Sequence, residues 1–399
     1  MLTPNYLMNV AEPMVELWSQ VECDIIQDIA RRVAKTGGQM TATANWQVLK
    51  ARELGILQTD ISKTLAQATK LTQKETSKMV ISACQEALAF DDALYIKAGY
   101  APLPLAQSAA LMEVVQAGIR KTQGLMTNFT NTTALSATQA FEHCLDRAYT
   151  QVISGAFSYD TALRNAVRDL ARKGVDRILY PSGSSIHMDA AARRALLTGL
   201  NQTTAELQLA RMDELGTYLV EVTSHAGARP SHAQWQGQVY WHKERVKGYE
   251  NLEDATGYGH GDGLCGWNCY HSFFPYFEGL SSRAFERDPA ARLGKPNDQV
   301  YEESQKQRYY ERTIRAARRE CAAYSAARDA ATDPESKAAL NTLFEEAAVR
   351  LKRRESALDT FLEETNRTKL SDRLAVYGYD RKVSARATWA VKRANAAKE

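Results

Sequence analysis

The chain has 399 residues, room for two or three domains. A composition of 44% hydrophobic and 24% charged residues is that of an ordinary globular protein and excludes disorder as its main state. A net charge of +3 names no partner, six scattered cysteines make no disulfide framework, and without an apolar run of about 18 residues no membrane-spanning helix is indicated.

The opening residues include Glu12 and Glu16 and no basic cluster, so they do not read as a secretory signal. A protein made in the cytosol is expected. From 1 to about 175 the pattern is helix after helix. Pro13 suits a first helical position, and Met14, Trp18, Val21, Ile25, Ile29 and Val33 follow at spacings of three and four, ended by Gly37 and Gly38. A second helix runs through Trp46, Leu49 and Leu54 to Gly55. Thr72 with Glu75, and Ser136 with Gln139, form capping-box patterns that each predict a new helix start. Ala101, Pro102 and Pro104 mark a break. Ser158 caps a helix through Leu163, Val167 and Leu170 that Gly174 closes. His143 and Cys144 are lone helical residues and read as structural. Long amphipathic helices with little chemistry suit docking against other helices; an ordinary helical core explains the same stripes.

Residues 180–187 read as a loop, with His187 structural. Residues 189–214 make a strong helix, with Ala192, Leu196, Leu200 and Leu207 among its apolar positions and Gly216 ending it. Residues 217–223 alternate as a strand, and 238–242 form a second one. After 279 the helical period returns. Tyr310, Ile314, Ala317, Cys321 and Tyr324 make one stripe; Leu340, Phe344, Ala347, Leu351, Leu358 and Phe361 make another. Asp333 caps the second helix and Pro334 opens it, which predicts an antiparallel helical hairpin. Residues 374–389 read as a strand or turn followed by a short basic helix. The expected fold class is α+β, predominantly α-helical. Its three parts are a helical N-terminal domain (1–175), a small α+β module (176–280), and a C-terminal helical hairpin with a basic tail (281–399).

The most distinctive chemistry lies in 222–279. Five of the seven histidines fall there, with Trp235, Trp241, Trp267, Cys265 and Cys269. Cys265, Cys269 and His271 stand in C-x3-C-x-H spacing, and His225 and His232 lie upstream, so two short clusters of zinc-ligand types are present. That spacing is not a standard finger, and 32 residues separate His232 from Cys265. The favoured reading is therefore a knot of hydrogen-bonded histidines packed on Trp235 and Trp267, with no cofactor. A structural zinc on His225, His232, Cys269 and His271 is the other possibility. The glycine-rich run Gly257, Gly259, Gly261 and Gly263 lacks the spacing and context of a dinucleotide loop. Cys269 with His271, or Ser231 with His232, sit too close in sequence for the usual nucleophile–base geometry. No catalytic set is identified, and a metal-dependent nuclease or toxin-like enzyme built on the His/Cys stretch is the alternative.

The run HAGARPSHAQWQG, followed by GLCGWNCYHSFFPYFEG, resembles the phage minor capsid protein family of tailed phages of Gram-positive bacteria, a distant relative of the Mu F-like head morphogenesis proteins. The likeness extends upstream from Asp189 and, more weakly, into Leu374 to Trp389. The positions that carry it are His225, Gly227, Arg229, Pro230, Ser231, His232, Trp235, Gly237, Gly263, Cys265, Trp267, Asn268, Cys269 and His271. The resemblance implies a structural virion component of the head interior near the portal, present in the host cytoplasm during assembly. Its implied roles are head morphogenesis and genome packaging or ejection. The implied partners are the portal protein, other head proteins and genomic DNA, with no membrane in the mature head.

Charge fits a division of labour. Residues 281–399 hold 25 Lys and Arg against 19 Asp and Glu, whereas 1–280 hold 25 against 28. The helical N-terminal half is expected on the portal and the basic hairpin toward the head interior. Arg308, Arg312, Arg315, Arg318 and Arg319 are candidates for phosphate contacts, although interleaved Glu302, Glu303, Glu311 and Glu320 favour salt bridges on the helix surface.

Overall fold

A computed structural model describes residues 1–35, 43–154, 158–174, 178–179, 185–186 and 188–396. The expected helix end at Gly37 and Gly38, and His187, lie outside them. The elements are α1 (Pro4–Asn9), α2 (Glu12–Lys35), α3 (Thr43–Lys97), α4 (Ala109–Ile153), α5 (Tyr159–Lys173), β1 (Ile178–Leu179), β2 (Ser185–Ile186), α6 (Met188–Leu215), β3 (Leu219–Val222), α7 (Pro230–Ala233), β4 (Val239–Trp241), β5 (Glu250–Asn251), α8 (Leu252–Thr256), β6 (Phe273–Pro275), α9 (Asn297–Ala330), α10 (Pro334–Thr365) and α11 (Arg381–Ala396). The protein is predominantly α-helical with a small mixed sheet, as the periodicity predicts.

Three predicted boundaries in the first stretch do not exist. Gly55 and Thr72 lie inside α3, and Ser136 lies inside α4. The reason is local. A threonine or serine within a helix satisfies its hydroxyl on the carbonyl four residues back and need not break the turn. In α4, Thr122, Thr127, Thr133 and Thr138 do so on Gly118, Gln123, Phe129 and Ala134 at 2.8–3.1 Å. Other signals act where they are expected. Ser158 Oγ accepts from Thr161 N–H and Gly174 closes α5 at φ +80°. Asp333 accepts from Ser336 N–H at 2.6 Å ahead of Pro334.

The chain gathers into two compact units, one of residues 1–15, 69–128 and 190–305, the other of 16–68, 129–189 and 306–399. Each of the three consecutive sequence parts contributes to both.

The second unit is helical. Trp18, fully buried, meets Phe129 edge-on at 4.3 Å. Helices α9 and α10 form the antiparallel hairpin, tied by Arg318 to Glu355, Arg350 to Glu320, and Arg354 to the Thr313 carbonyl. Its interior holds a charged pair, Arg319 with Glu22 at 3.2 Å, both nearly inaccessible.

The first unit carries the sheet, in the order β5-β4-β3-β6. β3 pairs antiparallel with β4 (Val220 opposite Tyr240) and with β6 (Glu221 opposite Phe274), while β5 joins β4 in parallel. β5 and β6 have too few residues to show a period in sequence. All four residues of β3 are buried, including Glu221, whose carboxylate accepts the N–H groups of Ala284 and Phe285 at 2.8 Å. Behind the sheet, α6 crosses α4 closely: a Cβ at Gly118 would overlap Thr203, and one at Gly199 would overlap Thr122. Two reciprocal Gly–Thr contacts let the helix backbones approach.

Gly118→Leu and Gly199→Leu are expected to lower the urea midpoint, since overpacking costs about 1–3 kcal/mol. Gly124→Ala, at a position with open space in the same helix, is expected to raise stability by up to about 1 kcal/mol. Equal effects at the two kinds of site would show that the crossing is not tight.

Candidate functional site

The His/Trp/Cys stretch folds against the sheet of the first unit. β3 ends at Val222, and the chain turns through His225 and Gly227 into the short helix α7. Pro230 opens that helix and puts His232 on its buried side. A glycine-rich loop follows α8, and the chain then passes Cys265, Cys269 and His271 to enter β6. Two clusters far apart in sequence are thereby brought together.

At their meeting point, Cys269 Sγ lies 3.7 Å from His232 Nδ1 and 3.6 Å from His271 Nδ1. All three residues are buried, at 2%, 3% and 1% exposure, and their donor atoms lie within 4.8 Å of one another. The outer ring nitrogens are occupied. His232 Nε2 donates to the Asp262 carbonyl at 2.8 Å, and His271 Nε2 donates to Gln236 Oε1 at 3.0 Å. Trp235, 7% exposed, stacks on His232 at 4.6 Å and meets His271 edge-on at 4.9 Å. His225 lies over His271 at 4.5 Å, with its Nδ1 3.2 Å from the Ala226 carbonyl.

Burial sets the protonation states. It pushes His271 well below the ordinary histidine range, and the neighbouring His225, His232 and Arg229 act in the same direction. It lowers His232 as well, although the bond to Asp262 opposes it. Burial pushes the Cys269 thiol up to about 11, and the Cys265 thiol is raised too. The cluster is therefore neutral at pH 7 when it holds no ion. It contains no carboxylate.

The remaining residues of the sequence signature hold this knot in place. Gly237 has φ +63°, and a Cβ there would stand 2.5 Å from the Glu286 carbonyl oxygen, so the returning chain fits only over glycine. Gly227 sits against Val300, and its neighbour Ala228 exchanges two hydrogen bonds with Asn297 at the start of α9. Gly263 packs directly on Gly257. Arg229 donates to the Trp267 carbonyl at 3.2 Å. Cys265 and Asn268 take left-handed backbone conformations at φ +59° and +53°. Ser231 is exposed, which keeps it apart from the knot.

Trp267 departs from expectation. It is 49% exposed, with its ring above Gly261 and the Arg194 guanidinium 4.6 Å from its centroid. The histidines pack on Trp235 alone. The indole of Trp267 is excluded from the knot because Cys269 and His271 fill it. Outside the knot, His242 pairs with Glu253 at 2.5 Å and His260 is exposed.

Sequence reasoning missed Gln236 and Asn201. Gln236 is fully buried; its Oε1 takes the His225 N–H and the His271 ring N–H, and its Nε2 faces the Arg287 carbonyl. Asn201 Nδ2 donates to the carbonyls of Cys269 and His271. A signal was present: Asn201, Thr204, Gln208 and Arg211 form a polar stripe at spacings of three, four and three on a helix that is otherwise apolar on that side.

The profile of the family described as phage minor capsid protein 2 matches residues 2–363. A curated relative, named a structural protein of Lactococcus phage LL-H, is 25% identical over 194 residues, covering 47% of this chain and 50% of its own length. The chain thus spans about half the length of that relative. No solved structure matches the chain.

Trp235→Ala is expected to destabilise the protein by about 3–5 kcal/mol, as truncation of a buried aromatic does. Trp267→Ala is expected to cost about 1 kcal/mol, the scale of an exposed cation–π contact. Chemical denaturation of both variants checks the order; a larger loss at Trp267 would contradict it.

Proposed function

The chain belongs to the phage minor capsid protein 2 family, and from that premise we propose that it is a structural component of the virion, held in the head at the portal and engaged in head assembly and in packaging or delivery of the genome. The observation that carries this reading is the family match over 2–363, together with what the signature residues do. They are spent on holding backbone to backbone, and the His/Cys cluster found among the described residues is buried and lacks a carboxylate to serve as base. The structural name of the Lactococcus phage relative points the same way. Among the described residues no helix is long and apolar enough to cross a membrane.

The partners in this proposal are the portal protein, other head proteins and genomic DNA. The basic residues open to DNA are not those of α9 alone. Arg315 donates to the Arg373 carbonyl, Arg318 to the Leu374 carbonyl and Glu355, and Arg319 to Glu22, so three of the candidate arginines of α9 are engaged within the fold. Helix α11 offers exposed basic residues instead: Arg381, Lys382 and Lys392, the last beside the exposed Trp389. Basic charge with an exposed aromatic suits a nucleic-acid surface.

The full-length protein is expected to co-purify with the portal and to be present in mature, DNA-filled heads. Its absence from both would overturn the reading. In a separate assay, replacing Arg381, Lys382 and Lys392 together by Glu is expected to weaken duplex DNA retention at about 50 mM salt while leaving portal binding intact. Unchanged DNA retention would remove α11 from the proposal.

A further inference from the structure

Proton accounting in the buried His/Cys knot points to a site for a metal ion. Asp262 contributes a carbonyl, which only accepts, so His232 Nε2 carries a hydrogen. The orientation of Gln236 is set by two one-way partners. The His225 N–H can only donate, to Oε1 at 3.1 Å, and the Arg287 carbonyl can only accept, from Nε2 at 3.4 Å. His271 Nε2, 3.0 Å from the same Oε1, must therefore also carry a hydrogen. Each ring carries a hydrogen on its outward nitrogen. Both Nδ1 atoms present lone pairs inward, and both face Cys269 Sγ.

That sulfur has one hydrogen at most. Two ring nitrogens and the His271 carbonyl, 3.9 Å away, compete for it. The sulfur itself already accepts the His271 backbone N–H at 3.4 Å, as a thiolate would. At least one buried lone pair is left without a donor, which is unfavourable in a buried site. A cation at the centre removes the conflict, because all three atoms then act as donors to it.

We propose that His232 Nδ1, His271 Nδ1 and Cys269 Sγ form a binding site for a zinc-class divalent ion, with the fourth position left to water. The spacing fits. Tetrahedral zinc with bonds of about 2.3 Å to sulfur and 2.0–2.1 Å to nitrogen separates the two ligand types by about 3.5 Å, and the sulfur–nitrogen distances are 3.7 and 3.6 Å. Both histidines already have the outer hydrogen bonds, to a carbonyl and to an amide oxygen, that orient ligating imidazoles. One thiolate with two imidazoles suits zinc and disfavours calcium or magnesium, which take oxygen ligands. Cys265 is not a ligand: its sulfur points to the His271 carbonyl, at 3.8 Å. The ion joins α7 to the strand entering β6, so its role is to hold these segments together. This inference does not depend on the portal reading.

The test uses the full-length protein, produced with zinc in the medium and dialysed. About one zinc per chain is expected by elemental analysis. Exchange for cobalt should give a thiolate-to-cobalt charge-transfer band in the near ultraviolet. That band should be lost in Cys269→Ser and kept in Cys265→Ser, and chelation should lower the melting temperature. Traces of zinc together with no cobalt–thiolate band in the wild-type protein would overturn the proposal whether or not the variants fold. A band that survives Cys269→Ser and vanishes in Cys265→Ser would overturn the assignment of the sulfur.

Discussion

The first unit depends on how one sheet edge is closed. β6 pairs with β3 on one side, and on the other side no strand among the described residues meets it. A buried edge with unpaired carbonyls is costly, because the lost hydrogen bonds to water are not replaced. Here α6 supplies the replacement from side chains. Asn201 donates to the carbonyls of Cys269 and His271, and Gln208 donates to that of Phe273. Every second carbonyl along the approach to β6 is thus held by an amide from one helix, the two-residue period of an extended chain meeting the polar stripe of an α-helix. The same stripe continues to Arg211, which binds the Leu103 carbonyl and pairs with Asp92 and Glu214.

That clamp fixes the conformation of 269–273, and with it the directions of Cys269 and His271. The other half of the knot is positioned by an independent set of contacts: Pro230 at the start of α7, Gln236 between two backbone strands, and Gly237 under the Glu286 carbonyl. The buried amides of Asn201 and Gln236 each tie separate segments together. Such networks hold when complete and are costly when one member is removed. It is a physical reason for a dense signature in a protein whose chemistry is structural. Within the signature the unusual residues answer to geometry, for instance Gly237 to a close backbone and Cys265 to a left-handed turn.

How much of this was legible in the sequence follows from the range of each interaction. Local signals carry far: the Asp333–Pro334 helix start, the Ser158 cap, the Gly216 stop and the strands at 219–222 and 239–241 are all readable from neighbouring residues. The same local logic fails in α3 and α4. A capping-box pattern marks a helix start only if the chain before it is not already helical, and Thr72 and Ser136 sit within uninterrupted turns. The clustering of His232, Cys269 and His271 could be suspected from composition. Which tryptophan covers them could not, because burial of Trp235 and exposure of Trp267 follow from a fold in which the glycine loop intervenes. Short strands such as β5 and β6 have no period of their own to read.

The charged interior of the second unit shows the same dependence on distant partners. In sequence, Arg319 is one of several arginines on a helix and looks available for phosphate. In the fold its guanidinium is buried against Glu22, 297 residues away. Breaking one member of such a pair leaves a buried charge uncompensated, which costs about 3–5 kcal/mol, far more than the exposed pairs on the same helix contribute. A basic count for 281–399 therefore overstates the charge available to a partner, since part of it is neutralised inside the fold. Exposed lysines and arginines remain along much of 281–399, but α11 presents Arg381, Lys382, Lys392 and Arg393 with no acidic residue of its own, and there basic charge has physical content for nucleic acid.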